Sequence, residues 1–408
     1  MDTPSSEMFD VAIVGGGLVG ASLAVGLSGR QRVALIEAAP PPVGEARWDE
    51  RCIAVNHASV CILESLGVWA DLRAEAAPIT STHISEQGRF GVARFAAAEA
   101  GLDALGYNVP IRALGSALWQ RMLALGTTTL LCPARLQSLV RSDDAVELAL
   151  DDGRIVRARL VVAADGMNSP VRELLGIDAE RRDYGQSAIV TAVQTTRTHA
   201  GCAYERFTPG GPIALLPKWP QGGDRICSLV WTTPREQLRE RIDCSDDDFI
   251  AAAQAAFGER LGRFSGLGAR QAWPLMRVMS ERLTAPRVLF AGNAAQSLHP
   301  VAAQGFNLGL RDVATVAELL NDPAFVDSDP GADAVLAEYA QRRQRDRARV
   351  ADFTDQLVRL FSNRIPGLRG LRHLGLLALD LAPGVREAVL WQNLGFGGRA
   401  PQAARTPA

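Results

Sequence analysis

The turn GGGLVG at residues 15–20 restricts this chain more than any other stretch, because it joins an apolar strand directly to a helix. FDVAIV (9–14) is short, apolar and rich in branched residues, as expected of a strand covered on both faces. ASLAVGLSG follows the turn with helical character. In this setting Gly15 allows the tight turn, Gly17 lets backbone amides approach a pyrophosphate, and Gly20 lets the helix pack close to the strand. The helix start then presents unpaired N–H groups and the positive end of its dipole to phosphate. A second strand, RVALIEA (32–38), carries Glu37, 22 residues after Gly15, close to the spacing expected of a ribose-binding carboxylate. The competing reading, a Gly-rich turn without ligand, leaves that strand–helix–acid order unexplained. On this motif alone the dinucleotide is NAD or FAD.

The bulk properties exclude several other classes. A chain of 408 residues has room for about two domains. Its net charge of -2 gives no general attraction to nucleic acid or anionic membranes. The basic run QRRQRDRAR (341–349) reads as a solvated helix face. Six cysteines are scattered without a CxxC pair or a metal-ligand rhythm, and no metal is expected. MDTPSSEMFDVAIV lacks the basic and cleavage regions of an export signal, so the expected setting is cytoplasmic with reduced thiols. No apolar run approaches the ~18 residues that would span a bilayer.

Two further strand–loop–helix stretches carry chemistry. ARLVVAADGMNSPVRELLG (158–176) ends a buried strand in Asp165-Gly166 and continues into Ser169-Pro170-Val171-Arg172. RVLFAGNAAQSLHPVAAQGFNLGLRD (287–312) ends a strand in Gly292-Asn293 and passes His299-Pro300 to a helix expected to begin around Phe306. That last segment is small and charge-poor, as suits a surface where backbone amides do the binding. Locally, each stretch is also an ordinary turn before a helix.

Together and in this order, the three stretches resemble the fingerprints of flavin-dependent aromatic hydroxylases. The resemblance covers roughly residues 8–395 and implies FAD. It places Asp165 and Gly166 near the pyrophosphate, and Gly292 and Asn293 at the ribityl chain. Pro300, Gly305, Phe306 and Asn307 would pass under the flavin ring, with the helix dipole aimed at its pyrimidine edge. Most members have Gly-Asp where this chain has Gly292-Asn293; asparagine keeps the hydrogen bond and removes a charge. Arg51 in WDERCIAVN and Arg112 in VPIRALGSALWQRML match positions near the flavin and pyrophosphate, with a plain surface ion pair as the alternative for each.

The implied fold is α/β and p-hydroxybenzoate hydroxylase-like: a discontinuous Rossmann-like FAD-binding domain, an inserted antiparallel β-sheet substrate domain and a helical C-terminal region. The FAD-binding domain takes residues 1–78, 100–185 and 281–331. The substrate domain takes a hairpin at 79–99 and the sheet at 186–280, and 332–408 is helical. SAIVTAVQTT, CAYERFTPGGPIALLPKW and RICSLVWTT read as strands separated by Gly-rich turns.

ERFTPGGPIALLP, the AGNAAQSLHPVAAQGFNLGLRD loop and YAQRRQRDR resemble, within this family, the ubiquinone-biosynthesis monooxygenases. The nearest likeness is to hydroxylases of 2-polyprenyl-6-methoxyphenol; paralogues acting on another ring carbon share every motif. The resemblance implies that NAD(P)H binds transiently and reduces the flavin. Oxygen then adds to give a C4a-hydroperoxide, which hydroxylates a polyprenylated phenol. His299 and Gln304 are expected to line the site, neither as an obligatory catalyst. A flavin-bound, non-catalytic subunit of a quinone-synthesis complex is the alternative. Other proteins of that pathway are the expected partners, and nucleic acid is not. LVRLFSNRIPGLRGLRHLGLLALDLAPGVREAVLWQNLGF (357–396) reads either as a helix lying on the inner membrane surface or as packing against the protein or a partner.

Overall fold

The computed structural model describes residues 8–41, 44–218, 223–299, 304–325, 328–362, 383–397 and 400–405, with backbone alone over 357–362 and at 383. Half of the 357–396 tail, residues 363–382, therefore lies outside the described residues, as does Pro300. Among the described residues no helix is long and apolar enough to cross a membrane.

The first of three sheets has a parallel core in the order β19 (Val288–Phe290), β11 (Ile155–Ala163), β1 (Met8–Val14), β2 (Val33–Ile36), β8 (Thr128–Leu131). Short β18 (Thr284–Ala285) extends it beyond β19, and the pair β9 (Leu136–Arg141) and β10 (Val146–Leu150) adds antiparallel strands beside β11. Val11 to Val14 are buried in a core shared with α1, α4, α8 and the β10 side chains, which is why the sequence is continuously apolar there. α1 (Leu18–Gly26) and α8 (Gln304–Leu320) pack together on one face, with Val19 against Gly292 and Gly309. α4 (Ile111–Leu125) packs against α1. A three-stranded sheet that the sequence did not suggest, β3 (Cys52–Asn56), β7 (Gly106–Pro110) and β4 (Ala77–Ile79), stands beside α2 (His57–Ser65) and short α3 (Trp69–Leu72).

The third sheet has nine strands. Its main path runs β20 (Gln296–Ser297), β17 (Gln271–Ser280), β12 (Ala179–Thr195), β15 (Ile226–Pro234), β14 (Ile213–Pro217), β13 (Cys202–Phe207), β5 (Ser81–Glu86), β6 (Val92–Ala96), with β16 (Phe264–Leu267) on β12. All its pairings are antiparallel except β13 with β5, which is parallel and adds the β5–β6 hairpin to the sheet edge. α6 (Arg235–Asp243) and α7 (Asp246–Phe257) lie against this sheet. α7 seals one face through Ile189, Val193, Leu215, Leu229, Trp231, Phe249 and Phe257. Ser245 caps α7 and three aspartates occupy its first turn, which complements the helix dipole.

The basic run 341–349 corrects an expectation. It lies on α9 (Asp333–Ser362) with Gln341, Gln344, Arg345 and Arg349 exposed, but its other side is buried: the side chains of Arg343 and Asp346 are 2% and 7% exposed. Arg343 donates to Asp312 at 2.6 Å and to Asp346 at 2.7 Å, Arg311 pairs with Asp346 at 3.2 Å, and Arg347 donates to the carbonyls of Ser280 and Ala295. One counter-charge, Asp346, is local, but the other, Asp312, comes from α8 some 30 residues upstream, and the local pattern gave no warning of it.

A candidate flavin site at the ends of three parallel strands

β1, β11 and β19 lie side by side, with Val14 opposite Ala163 and Ala163 opposite Phe290. Their C-terminal ends deliver Gly15–Gly20, Asp165–Gly166 and Gly292–Asn293 to one edge of the sheet. In parallel α/β sheets this edge is where ligands bind. The packing between the loops is backbone on backbone. Gly15 has φ +101°, and a Cβ there would stand 2.5 Å from the Ala164 carbonyl oxygen. A Cβ on Gly20 would overlap the Gly15 carbonyl oxygen. Gly17, Gly166 and Gly305 face open space.

The α1 N-cap, Gly17, supplies no side-chain cap, so the first-turn amides stay available to an anion. Glu37 accepts from the Gly16 and Ala39 amides, which orient its carboxylate at the end of β2 while leaving lone pairs for ribose hydroxyls. Trp119 on α4 donates to the Gly16 carbonyl at 3.0 Å, an anchor that the sequence did not reveal. Asp165 accepts from the Val171 amide through one oxygen, and burial pushes its carboxyl up. Its other oxygen is buried without a partner. Arg172 ties the second loop to the third by donating to the Met167 and Ala294 carbonyls, both at 2.8 Å. Asp312 fixes the third loop by accepting from the Gly292 amide at 2.9 Å and from Gln296 at 2.8 Å. Asn293 is exposed at the edge.

The ring end departs from expectation in three details. α8 begins at Gln304, two residues before the expected start. Asn307 accepts from the Asn56 amide and donates to the Ala54 carbonyl, so it joins β3 to the start of α8 and leaves main-chain amides to face a ligand. His299 is 1% exposed, packed edge-on against Tyr184 at 5.1 Å. Burial lowers it to about 4, so its imidazole is neutral at pH 7 and is a poor acceptor for a phenolic proton. Gln304 is also buried, at the first turn of α8.

The two arginines differ. Arg51 makes no ion pair among the described residues; it is exposed and stacks on Trp273 of β17 at 4.8 Å, joining the loop before β3 to the nine-stranded sheet. Arg112 is paired with Glu50 at 2.9 Å and Glu75 at 2.5 Å, the ion-pair alternative weighed for it.

The face of the third sheet opposite α7 follows from strand parity. Leu215 and Leu229 face α7, so Ala214, Leu216, Ser228 and Val230 face the other way. Register adds Ala188, Val190 and Ala192 from β12, Glu205 from β13 and Trp273 from β17. This face meets the 49–52 loop and β7: Asn108 donates to the Pro217 carbonyl and to Ser228, and Asp49 accepts from the Ala269 amide. It forms a wall of mostly small side chains toward the 49–52 loop and β7.

Glu205, which the sequence analysis did not single out, is the acid on that wall. Burial pushes it up to about 7, and it has no ion pair among the described residues. Since its folded value is raised above the ordinary ~4.3, the stability it contributes is complete below that value and is lost as pH rises through about 7. Glu205→Gln should therefore remove that loss. It should stabilise the protein at pH 8 by roughly 1–3 kcal/mol and leave it unchanged at pH 4. Urea unfolding of both proteins at the two pH values checks this, and parallel pH profiles would contradict it.

The cradle that rejects a Cβ, the uncapped helix start, the oriented Glu37, the half-satisfied Asp165 and the unpaired Arg51 fit FAD along its length. With the roofing sheet, they define a flavin-dependent aromatic hydroxylase. A family model described as FAD binding domain matches residues 8–354, and the chain belongs to that family. It is 39% identical to ubiquinone hydroxylase UbiL of Rhodospirillum rubrum, covering 98% of this chain and 93% of the relative. It is 36% identical to 3-demethoxyubiquinol 3-hydroxylase of Escherichia coli, covering 96% and 100%. Human ubiquinone biosynthesis monooxygenase COQ6 is 29% identical, over 95% and 92%. Among solved structures, p-nitrophenol 4-monooxygenase PnpA of Pseudomonas putida DLL-E4 shares the fold at a TM-score of 0.78 and 18% identity, covering 96% and 99%. PqsL of P. aeruginosa, in complex with 2-aminobenzoylacetate, shares it at 0.72 and 24%, over 91% and 100%.

Proposed function

We propose that this enzyme hydroxylates the ring of a polyprenylated phenol in ubiquinone biosynthesis, with 2-polyprenyl-6-methoxyphenol as the substrate and NAD(P)H and O2 as co-substrates. The observation that carries the reading is the apolar wall of Ala188, Val190, Ala192, Ala214, Leu216 and Val230, turned toward the 49–52 loop and β7. Such a surface accepts a flat ring and a hydrocarbon chain and excludes water from the reacting groups. The near full-length likeness to ubiquinone hydroxylases points to the same substrate class. Bound FAD supplies hydride acceptance and oxygen activation. The protein's own residues hold the coenzyme, orient the ring and dry the chamber. Glu37 and the α1 amides would take the adenosine and pyrophosphate, Arg51 and Asp165 the middle, and the first turn of α8 the ring.

A second reading, attack at another ring carbon, is favoured by the name of the E. coli relative, a 3-hydroxylase. The two are separated by mass spectrometry of the quinone precursor that accumulates when the gene is deleted, followed by oxygenation of that precursor by purified enzyme. The first reading expects 2-polyprenyl-6-methoxyphenol to accumulate and to gain one oxygen atom. Accumulation of a demethoxy-quinol instead selects the second, and a colourless protein that leaves both phenols unchanged rejects both.

A further inference from the structure

Lys218 is the single lysine among 43 lysine and arginine residues in the chain. It follows β14 directly, in phase with Ala214 and Leu216, and so belongs to the chamber wall. It is only 5% exposed. Its ammonium group donates to one acceptor, the Glu50 carbonyl, and has no carboxylate partner among the described residues. The Glu50 carboxylate is turned away to Arg112. Lysine has three N–H donors, so a buried cation here lacks both a counter-charge and most of its hydrogen bonds. Burying such a group is unfavourable by several kcal/mol unless something anionic completes it.

We infer that Lys218 binds the phenolic oxygen of the substrate and holds it as a phenolate at the seam between the substrate sheet and the 49–52 loop. The assignment rests on the phenol reading above. Ser228 and Asn108 neighbour the position, and β3, which starts at Cys52, leads from this loop to the start of α8, where the ring end of the flavin site lies. The residue type matters as well. Arginine stays protonated at any physiological pH, whereas lysine can give up and regain a proton. Burial lowers the Lys218 ammonium, opposed by the electrostatic pull of Cys52, Glu50 and Asp49 without direct pairing, and the His199 ring lies against its backbone carbonyl. In the step proposed, the Lys218 ammonium first releases one proton to solvent; the phenol O–H bond then breaks and its proton forms an N–H bond on Nζ. The electron pair stays on oxygen, where it enriches the ring for oxygen transfer. The resulting ammonium–phenolate pair supplies the missing counter-charge.

One lysine also makes the test clean. FAD-loaded enzyme grown on lysine carrying 13C at Cε should show a single lysine side-chain resonance. Its pH titration is followed anaerobically, without NAD(P)H, before and after adding 6-geranyl-2-methoxyphenol. The signal should move on binding and its titration midpoint should rise. The ultraviolet difference spectrum should show bound phenolate at a pH where the free phenol is protonated. Lys218→Met should keep its FAD, lose the phenolate band and bind the phenol about 10–100-fold more weakly; Lys218→Arg should restore part of the binding. A lysine signal indifferent to the phenol overturns the inference, as does a methionine variant that retains the phenolate band. If the methionine variant fails to fold, the wild-type resonance still decides. Wild-type enzyme that oxygenates the phenol while its lysine stays silent overturns the lysine assignment alone. Enzyme that neither binds nor oxygenates the phenol overturns the phenol reading and the assignment with it.

Discussion

Asp312→Ala should empty the protein of flavin and destabilise it by about 3–5 kcal/mol, the usual effect of breaking a buried ion pair from one side. Asp312 is 2% exposed and serves two systems at once. One oxygen holds the Gly292 amide and the Gln296 side chain, which shape the third flavin loop; the other takes Nε of Arg343 at 2.6 Å. Without it, the Arg343 guanidinium keeps only Asp346 and the Leu308 carbonyl at 3.3 Å. Thermal unfolding and the flavin-to-protein absorbance ratio measure the two consequences together. A variant that retained full flavin content would show that the third loop holds its shape without this support. Arg343→Lys should reproduce most of the stability loss, since an ammonium lacks the fork that reaches both aspartates.

The second large effect is expected at Gly20. A Cβ there overlaps the Gly15 carbonyl oxygen and comes within 3.3 Å of Ile13, and both neighbours belong to the innermost strand and its turn. Gly20→Ala can be accommodated only by moving α1 away from β1, which opens the pyrophosphate cradle. Little folded, flavin-loaded protein should be recovered. Gly17→Ala is the control, because nothing lies within 4 Å of its Cβ. That variant should fold, with melting close to the parent apoprotein, and bind FAD at least about tenfold more weakly as the methyl enters the phosphate space. If both variants bound FAD like the parent, the Gly-rich turn would not be the coenzyme's phosphate site.

Much of the candidate flavin site was legible in the sequence because its instructions are local. Gly15 to Gly20, Asp165-Gly166 and Gly292-Asn293 each follow a strand end within a few residues, and turn geometry and helix starts are encoded over that range. Glu37 was legible for the same reason, one βαβ spacing away. The strands of the substrate sheet were legible as alternating segments, but their face toward the flavin was not. A strand's parity says that residues alternate; only α7 packing on Leu215 and Leu229 says which set is turned away from α7. Arg112 shows the opposite case: its position matched a motif, yet Glu50 and Glu75 engage its guanidinium.

The chain alone thus determined the class of ligand and the order of its three contact loops, because these depend on short stretches of backbone. The tertiary structure decided how charge is distributed around them. It buried Arg343 between Asp312 and Asp346 and Arg347 against two backbone carbonyls, turned His299 into a neutral buried residue beside Tyr184, and brought Glu205 and Lys218 to one face of the third sheet. The physical reason is that the energy of a charge depends on what surrounds it. In a folded chain those surroundings come from residues tens to hundreds of positions away.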